Sequence, residues 1–184
     1  MTTQPLEKTF STTRQSRPWW ALPTILLSLV IVLLLAYGLW RNDRTQLVDG
    51  PVPEFTLHTF DGEEIAIGDL QGKPVIINFW ASWCRECDKE MQLLQQTHER
   101  YGDEIVLLGV DHVDTEAKAL AYLQQYGITY PNGPDLGGRI ANAFNIKGVP
   151  ETFFIGPDGT IRGMHLGPLD QAALAGWIAE LQNE

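Results

Sequence analysis

Apolar and polar positions recur along this chain with a period that changes from segment to segment. Residues 18–40 carry no formal charge, and Ile25-Leu26-Leu27-Ser28-Leu29-Val30-Ile31-Val32-Leu33-Leu34-Leu35 is apolar but for one serine. Such a run predicts a helix that is apolar on every side. Beyond residue 50 the pattern becomes that of a globular domain. Phe55-Thr56-Leu57-His58 and Glu64-Ile65-Ala66-Ile67 alternate around Asp61-Gly62, which predicts a β-hairpin. Val75-Ile76-Ile77-Asn78-Phe79-Trp80 is nearly continuous and suits a strand covered on both faces. The spacing that follows predicts a helix over 84–101, with Met91, Leu93, Leu94 and His98 as inward candidates, then a buried strand over 105–110 and a helix over 115–126. A short helix over 137–144 leads to strands at 152–155 and 160–164, joined by a turn through Pro157-Asp158-Gly159-Thr160. Asp170 is placed to cap a last helix ending near Leu181. This order predicts an α/β domain: a mixed sheet with helices on both faces, its last hairpin antiparallel and the strands around the 84–101 helix parallel.

The patterns divide the chain into four parts. Residues 1–17 form a polar tail expected to be disordered, 18–40 a transmembrane anchor, 41–50 a linker, and 51–184 the domain. At about 1.5 Å per residue the apolar run reaches roughly 35 Å, enough to cross a hydrocarbon core of about 30 Å. Trp19 and Trp20 at one end, with Tyr37 and Trp40 at the other, suit the interfacial aromatic belts. A cleaved signal peptide competes, with Ala36-Tyr37-Gly38 as its cleavage site and Lys8, Arg14 and Arg17 as its basic start. The length of the run and its tryptophans favour a signal-anchor. Three bases before the run, against Arg41 and Arg44 after it, put the tail in the cytoplasm and the domain outside, as a single-pass protein of the cell membrane. Residues 41–184 hold 10 Lys and Arg against 22 Asp and Glu, which excludes nucleic acid as a natural partner and leaves lipid contact to the anchor.

The chain has two cysteines, both in Cys84-Arg85-Glu86-Cys87, between the aromatic strand and the helix predicted after it. A CxxC there suits reversible disulfide exchange: Cys84 attacks a substrate sulfur as thiolate, and Cys87 resolves the mixed disulfide. A thiol at a helix start is helped toward the thiolate by backbone N–H groups and the helix dipole. Arg85 favours that thiolate and Glu86 opposes it. A purely structural disulfide closing so short a loop would stabilise little. Zinc needs about four ligands, and His58, His98, His112 and His165 include no His-x₃₋₅-His pair. Asp88 stands where covalent haem attachment requires His. No metal or cofactor is expected.

The block Asn78-Phe79-Trp80-Ala81-Ser82-Trp83-Cys84-Arg85-Glu86-Cys87, followed by Gly148-Val149-Pro150-Glu151-Thr152-Phe153-Phe154-Ile155 and Asp158-Gly159, resembles the membrane-anchored thioredoxin-like proteins of the TlpA/ResA/CcmG (DsbE) group. The resemblance runs from about Pro51 to the C-terminus. It implies a thioredoxin-like fold with an added N-terminal hairpin, and an extracytoplasmic thiol–disulfide oxidoreductase, usually a reductant of disulfides in envelope proteins. The wording Gly-Val-Pro-Glu-Thr leans toward the cytochrome-c-maturation branch, whose substrate is apocytochrome c. A membrane thiol transporter of the DsbD/CcdA type is the implied electron donor.

The resemblance also assigns roles. Pro150 becomes a cis-proline facing the CxxC, with the Val149 backbone free to pair with an extended substrate. Glu90 becomes an acid that sets the thiol pKa values or moves a proton from Cys87. Glu151 is a candidate for substrate selection or pKa tuning, with a plain strand residue as the alternative. Trp83 is a candidate to shield the disulfide and offer apolar surface to partners, with ordinary core packing as the competing use, while Phe79 and Trp80 are expected in the core. Asn78 stands where thioredoxin carries a buried acid and takes a structural hydrogen-bonding role. Glu86 and Gln92 occupy positions where many relatives have proline, which bears on the redox potential and on a kink in the helix. Three readings stay open: an envelope thiol reductant, an oxidant or isomerase, and a membrane-tethered copper or haem chaperone. A peroxidase of the peroxiredoxin type is disfavoured, because no Pro-x-x-x-Thr-x-x-Cys pattern precedes either cysteine.

Overall fold

The computed structural model describes residues 21–42 and 47–183, in two units that divide between Arg44 and Thr45. The expected tail at 1–17, the Trp19 and Trp20 belt and most of the linker lie outside the described residues. The first unit holds the helix α1 (Ala21–Asn42), and its apolar side chains from Leu22 to Leu35 are exposed all round. Among the described residues no helix is long and apolar enough to cross a membrane. The side chains described on α1 end at Gly38, so they cover about 25 Å at 1.5 Å per residue.

The second unit is built on β1 (Gly50–Pro51), β2 (Thr56–His58), β3 (Glu64–Ala66), β4 (Val75–Trp80), α2 (Met91–Tyr101), β5 (Val106–His112), α3 (Glu116–Tyr126), β6 (Asn132–Asp135), α4 (Arg139–Phe144), β7 (Glu151–Ile155), β8 (Thr160–Leu166) and α5 (Gln171–Gln182). Six strands form one sheet in the order β1-β8-β7-β4-β5-β6, and β2 pairs with β3 apart from it. β4 runs parallel to β5 and antiparallel to β7, so the sheet is mixed as expected. Every residue of β4 is buried, which explains its lack of alternation.

Alternation across β4 separates two apolar layers. Val75, Ile77 and Phe79 join Leu108, Val110, Phe153 and Ile155 under Phe144 of α4 and under Phe55, Leu57 and Ile67 around the hairpin. Ile76 joins Leu107 and Phe154 under Leu94 of α2 and Leu174, Ile178 and Leu181 of α5. At the end of that second layer Trp80 packs with Cys84, Cys87, Met91, Ala119 and Tyr122. The cysteines therefore grow out of the core.

The helix expected from residue 84 begins instead at Met91. Residues 87–89 form a single 3₁₀ turn, and Glu90 breaks the path at φ −110° and ψ −16°. The physical reason is the inward side chain of Glu90, described below. The break occurs without proline, with Gln92 at the position in question bonding outward to the Tyr126 carbonyl at 2.8 Å. Asp170 caps α5 as expected, accepting from the Ala173 N–H at 2.7 Å. Two strands, β1 and β6, were hidden in turn-forming residues. Gly50, at the end of the expected linker, pairs with Ile161 of β8.

Candidate functional site

Four chain segments converge where β4 ends. The turn after β4 carries Ser82, Trp83 and Cys84; β5 ends close by at Asp111 and His112; the loop before β7 brings Val149 and Pro150; and the chain after β8 brings Leu169. The β4–β7 register pairs Phe79 with Glu151, so Pro150 falls across from Trp80, just below the cysteines. The Val149–Pro150 peptide bond is cis, as the motif implied. Val149 is half-buried, and its carbonyl oxygen lies 3.5 Å from the Cys84 sulfur.

Cys84 and Cys87 are joined as a disulfide, with 5.4 Å between their α-carbons. Cys84 retains 6% exposure and Cys87 none, which makes Cys84 the sulfur that a substrate can approach. The Cys87 N–H donates to the Cys84 sulfur at 3.1 Å. That donor, rather than the start of α2, supplies the N–H expected to help the thiolate. Trp83 stands 58% exposed beside the pair, its indole N–H donating to the Val113 carbonyl at 3.2 Å. Glu86 pairs with Lys89 at 2.6 Å in a solvent-exposed contact.

Glu90 is fully buried directly after the 3₁₀ turn, its own N–H bonded to the Cys87 carbonyl at 3.1 Å. Its Oε1 accepts from Asn78 Nδ2 at 2.8 Å and its Oε2 from the Leu169 N–H at 2.7 Å. Burial pushes its carboxyl up to about 7, against the opposing pull of the Leu169 and Asn78 bonds. Asn78 also donates to Thr152 Oγ1 at 3.0 Å, while its Oδ1 has no partner among the described residues. The buried acid of this site is thus held by the strand from below and supplied from the turn above.

Glu151 is buried too, and its Oε1 accepts from the Lys147 and Gly148 N–H groups at 2.7 and 3.0 Å. It fastens the loop that presents Val149 and Pro150. Trp80, fully buried, forms the floor: it stacks on Tyr122 at 5.1 Å and donates to Asn132 Oδ1 at 2.8 Å. Tyr122 in turn donates to Asp88 at 2.9 Å.

Four polar contributors escaped the sequence reading. Asn132 belongs to a strand hidden among turn formers, and Leu169 contributes only its backbone. Asp114 Oδ2 accepts from the Ser82 N–H at 2.8 Å. Burial pushes the Asp114 carboxyl up, but bonds from Ser82 and Thr115 and the charge of Lys118 outweigh it and hold the group below its usual range. Asp111 is 1% exposed. Its signal was legible: the inward positions Leu107 and Gly109 of β5 continue, two residues on, to a charge.

Comparison with known proteins places this geometry. Residues 48–164 match the AhpC/TSA family, a span that includes both cysteines and the cis-proline. The chain is 30% identical to the thiol:disulfide interchange protein DsbE of Pseudomonas fluorescens biotype C, over 89% of this chain and 91% of that one. It is 28% identical to the thiol-disulfide oxidoreductase ResA of Bacillus thuringiensis (strain Al Hakam), over 85% and 91% respectively. Among solved structures it is similar to a secreted Mycobacterium tuberculosis disulfide oxidoreductase described as homologous to Escherichia coli DsbE. The TM-score is 0.61 at 25% identity, over 69% of this chain and 96% of that one.

Proposed function

The chain belongs to the AhpC/TSA family and is a thioredoxin-like thiol–disulfide oxidoreductase, and from that premise we propose that it reduces disulfides of envelope proteins through the Cys84–Cys87 pair. The observation that carries the reading is the join of the accessible Cys84 to the cis Val149–Pro150 loop, with the buried acid Glu90 behind Cys87. An extended substrate pairs with the Val149 backbone, and its disulfide is attacked by the Cys84 thiolate. The S–S bond of the substrate breaks and a mixed disulfide forms. Cys87 then gives up its proton and attacks Cys84, which releases the substrate thiolate and leaves the oxidised pair. Glu90, poised near neutrality, is the group suited to take and return that proton. A membrane dithiol donor of the DsbD/CcdA type restores the pair, and apocytochrome c is the substrate we favour.

Electrostatics supports the reductive direction. A negative group buried behind the sulfurs disfavours the thiolate, which destabilises the dithiol and makes the couple more reducing. Residues 18–40 act as the anchor, a reading supported by the exposed apolar side chains around α1. Equilibration of the full chain with glutathione tests the direction: the midpoint is expected at or below the glutathione range, and one near −120 mV, in the range of strong oxidants, would sink it. Fractionation of the same cells checks the anchor, with the full chain expected to resist extraction from membranes by alkali.

A further inference from the structure

One buried charge near the cysteines has no part in the exchange described so far. Neither carboxylate oxygen of Asp111 has a hydrogen-bond partner among the described residues, although the side chain is sealed from solvent. Burying a carboxylate without a partner is costly, so its position calls for an explanation. Strand alternation puts Asp111 on the face of Leu107 and Gly109, where its register partner on β4 is Trp80. Trp80 packs in one cluster with Cys84 and Cys87. Two bonds then fasten the chain just after Asp111 to the chain just before Cys84, from Ser82 N–H to Asp114 and from the Trp83 indole to Val113. The Cys84 N–H folds back onto the Ala81 carbonyl at 3.1 Å. Asp111 thus lies one strand spacing, about 4.8 Å, from the backbone of Trp80, and the chain after it is tied to the turn that carries Cys84.

We propose that Asp111 is a second buried acid of this redox site, which tunes the Cys84 thiol through space. It touches neither sulfur, so it is a positioning residue rather than a catalytic one. When neutral it leaves the Cys84 thiolate undisturbed. When ionised, its uncompensated charge opposes that thiolate and tilts the couple toward donating electrons. Among the described residues the one charge that shifts Asp111 is that of Asp114, itself an acid, and none cancels it. β4 has no charged residue, the Asp135 carboxylate of β6 accepts from the Ile140 and Ala141 N–H groups, and Lys118 of α3 acts on Asp114. Glu90, the other ionisable group behind the sulfurs, is itself an acid. Burial, and next the charge of Asp114, push the Asp111 carboxyl up to about 7, so its ionisation falls in the range where thiols work.

The electron count is ordinary. A donor dithiol becomes a disulfide and gives up two electrons and two protons; the Cys84–Cys87 bond breaks, Cys87 takes one proton, and Cys84 takes or releases the other according to pH. Only that last proton is under the control of Asp111.

The inference rests on the reading of Cys84–Cys87 as an exchange pair, and its test separates the two. The full chain is compared with Asp111→Asn and Asp111→Leu, by iodoacetamide alkylation of the reduced protein from pH 5 to 9 and by redox equilibrium with a thiol buffer at pH 5.5 and 8. Both variants are expected to match the parent at pH 5.5. At pH 8 both should hold the dithiol about tenfold more firmly, a potential about 30 mV less negative, with the alkylation midpoint lower by about one unit. The Leu variant removes the charge together with an unpartnered polar group, so it keeps the test alive if the Asn variant folds poorly. An equal offset at both pH values, or none at pH 8, overturns the proposal. Failure of the parent chain to exchange with the buffer at all would overturn the exchange reading and this inference with it.

Discussion

Cys84 and Cys87 differ by little in exposure, 6% against none, yet the roles proposed for them rest on it. The outer sulfur has the Cys87 N–H at 3.1 Å and the Val149 carbonyl at its edge; the inner one leads by one turn to Glu90. Cys84→Ser is therefore expected to abolish exchange, while Cys87→Ser should still attack and then hold the mixed disulfide. Non-reducing electrophoresis with a disulfide-bearing substrate checks this: equal inactivity of the two variants without a trapped adduct would contradict the assignment. Asn78 explains how Glu90 can change protonation state in a closed site. Its Nδ2 serves the carboxylate, and its Oδ1, which has no partner among the described residues, becomes an acceptor for the protonated acid once the amide turns over. The sequence reading assigned Asn78 a hydrogen-bonding role, and its partners now give that role a purpose.

Elements were legible where their own residues decided them. The continuous run of β4, the hairpin signals and the Asp170 cap all carry their cause locally, and all appear where the pattern put them. The CxxC was readable for the same reason, as a short fixed motif, whereas the cis form of Pro150 followed only from the family resemblance carried by the block over 148–155. What stayed hidden depends on partners distant in sequence. Asn132-Gly133-Pro134-Asp135 reads as a turn, yet it is an edge strand because β5 offers it a ladder. Its Pro134 is tolerated at the sheet edge, where a missing N–H costs least. Glu90 breaks the expected helix because its carboxylate finds Asn78 and Leu169, twelve and seventy-nine residues away. Gly109 shows how closely these elements fit. The Trp80 indole crosses over it from β4 to reach Asn132 on β6, and an added β-carbon would lie 1.7 Å from Asn132 Oδ1 and 2.9 Å from Trp80 Nε1. Gly109→Ala should cost about 2–3 kcal/mol through overpacking and the lost buried bond. Urea unfolding measures it, and unchanged stability would mean that the Trp80–Asn132 link does not depend on a bare α-carbon between them.

At the scale of the molecule, an acidic domain carries most of its charge in water and buries two acids behind its sulfurs. Those two acids set the pH dependence of its stability, and the sign follows from linkage. Glu90 and Asp111 both bind protons more tightly folded than unfolded, so the folded state gains from them below the unfolded carboxylate range and loses that gain as pH rises toward 7. For Glu90, raised from 4.5 to about 7, the loss amounts to at most about 3 kcal/mol. Asp114 and Asp158 are shifted the other way and lose their contribution only as pH falls below about 4, so they leave the interval from 5 to 8 unaffected. The oxidised full chain should therefore be more stable to urea at pH 5 than at pH 8, in contrast to a protein whose carboxylates are all paired. Glu90→Gln and Asp111→Asn should each remove about half of that slope, because neither replacement can ionise and the two carboxyls are raised to the same value. Keeping the disulfide intact removes the thiols from the titration, so a flat profile in the parent chain would mean that these carboxyls ionise near their ordinary values and that the site holds no neutral acid to move a proton.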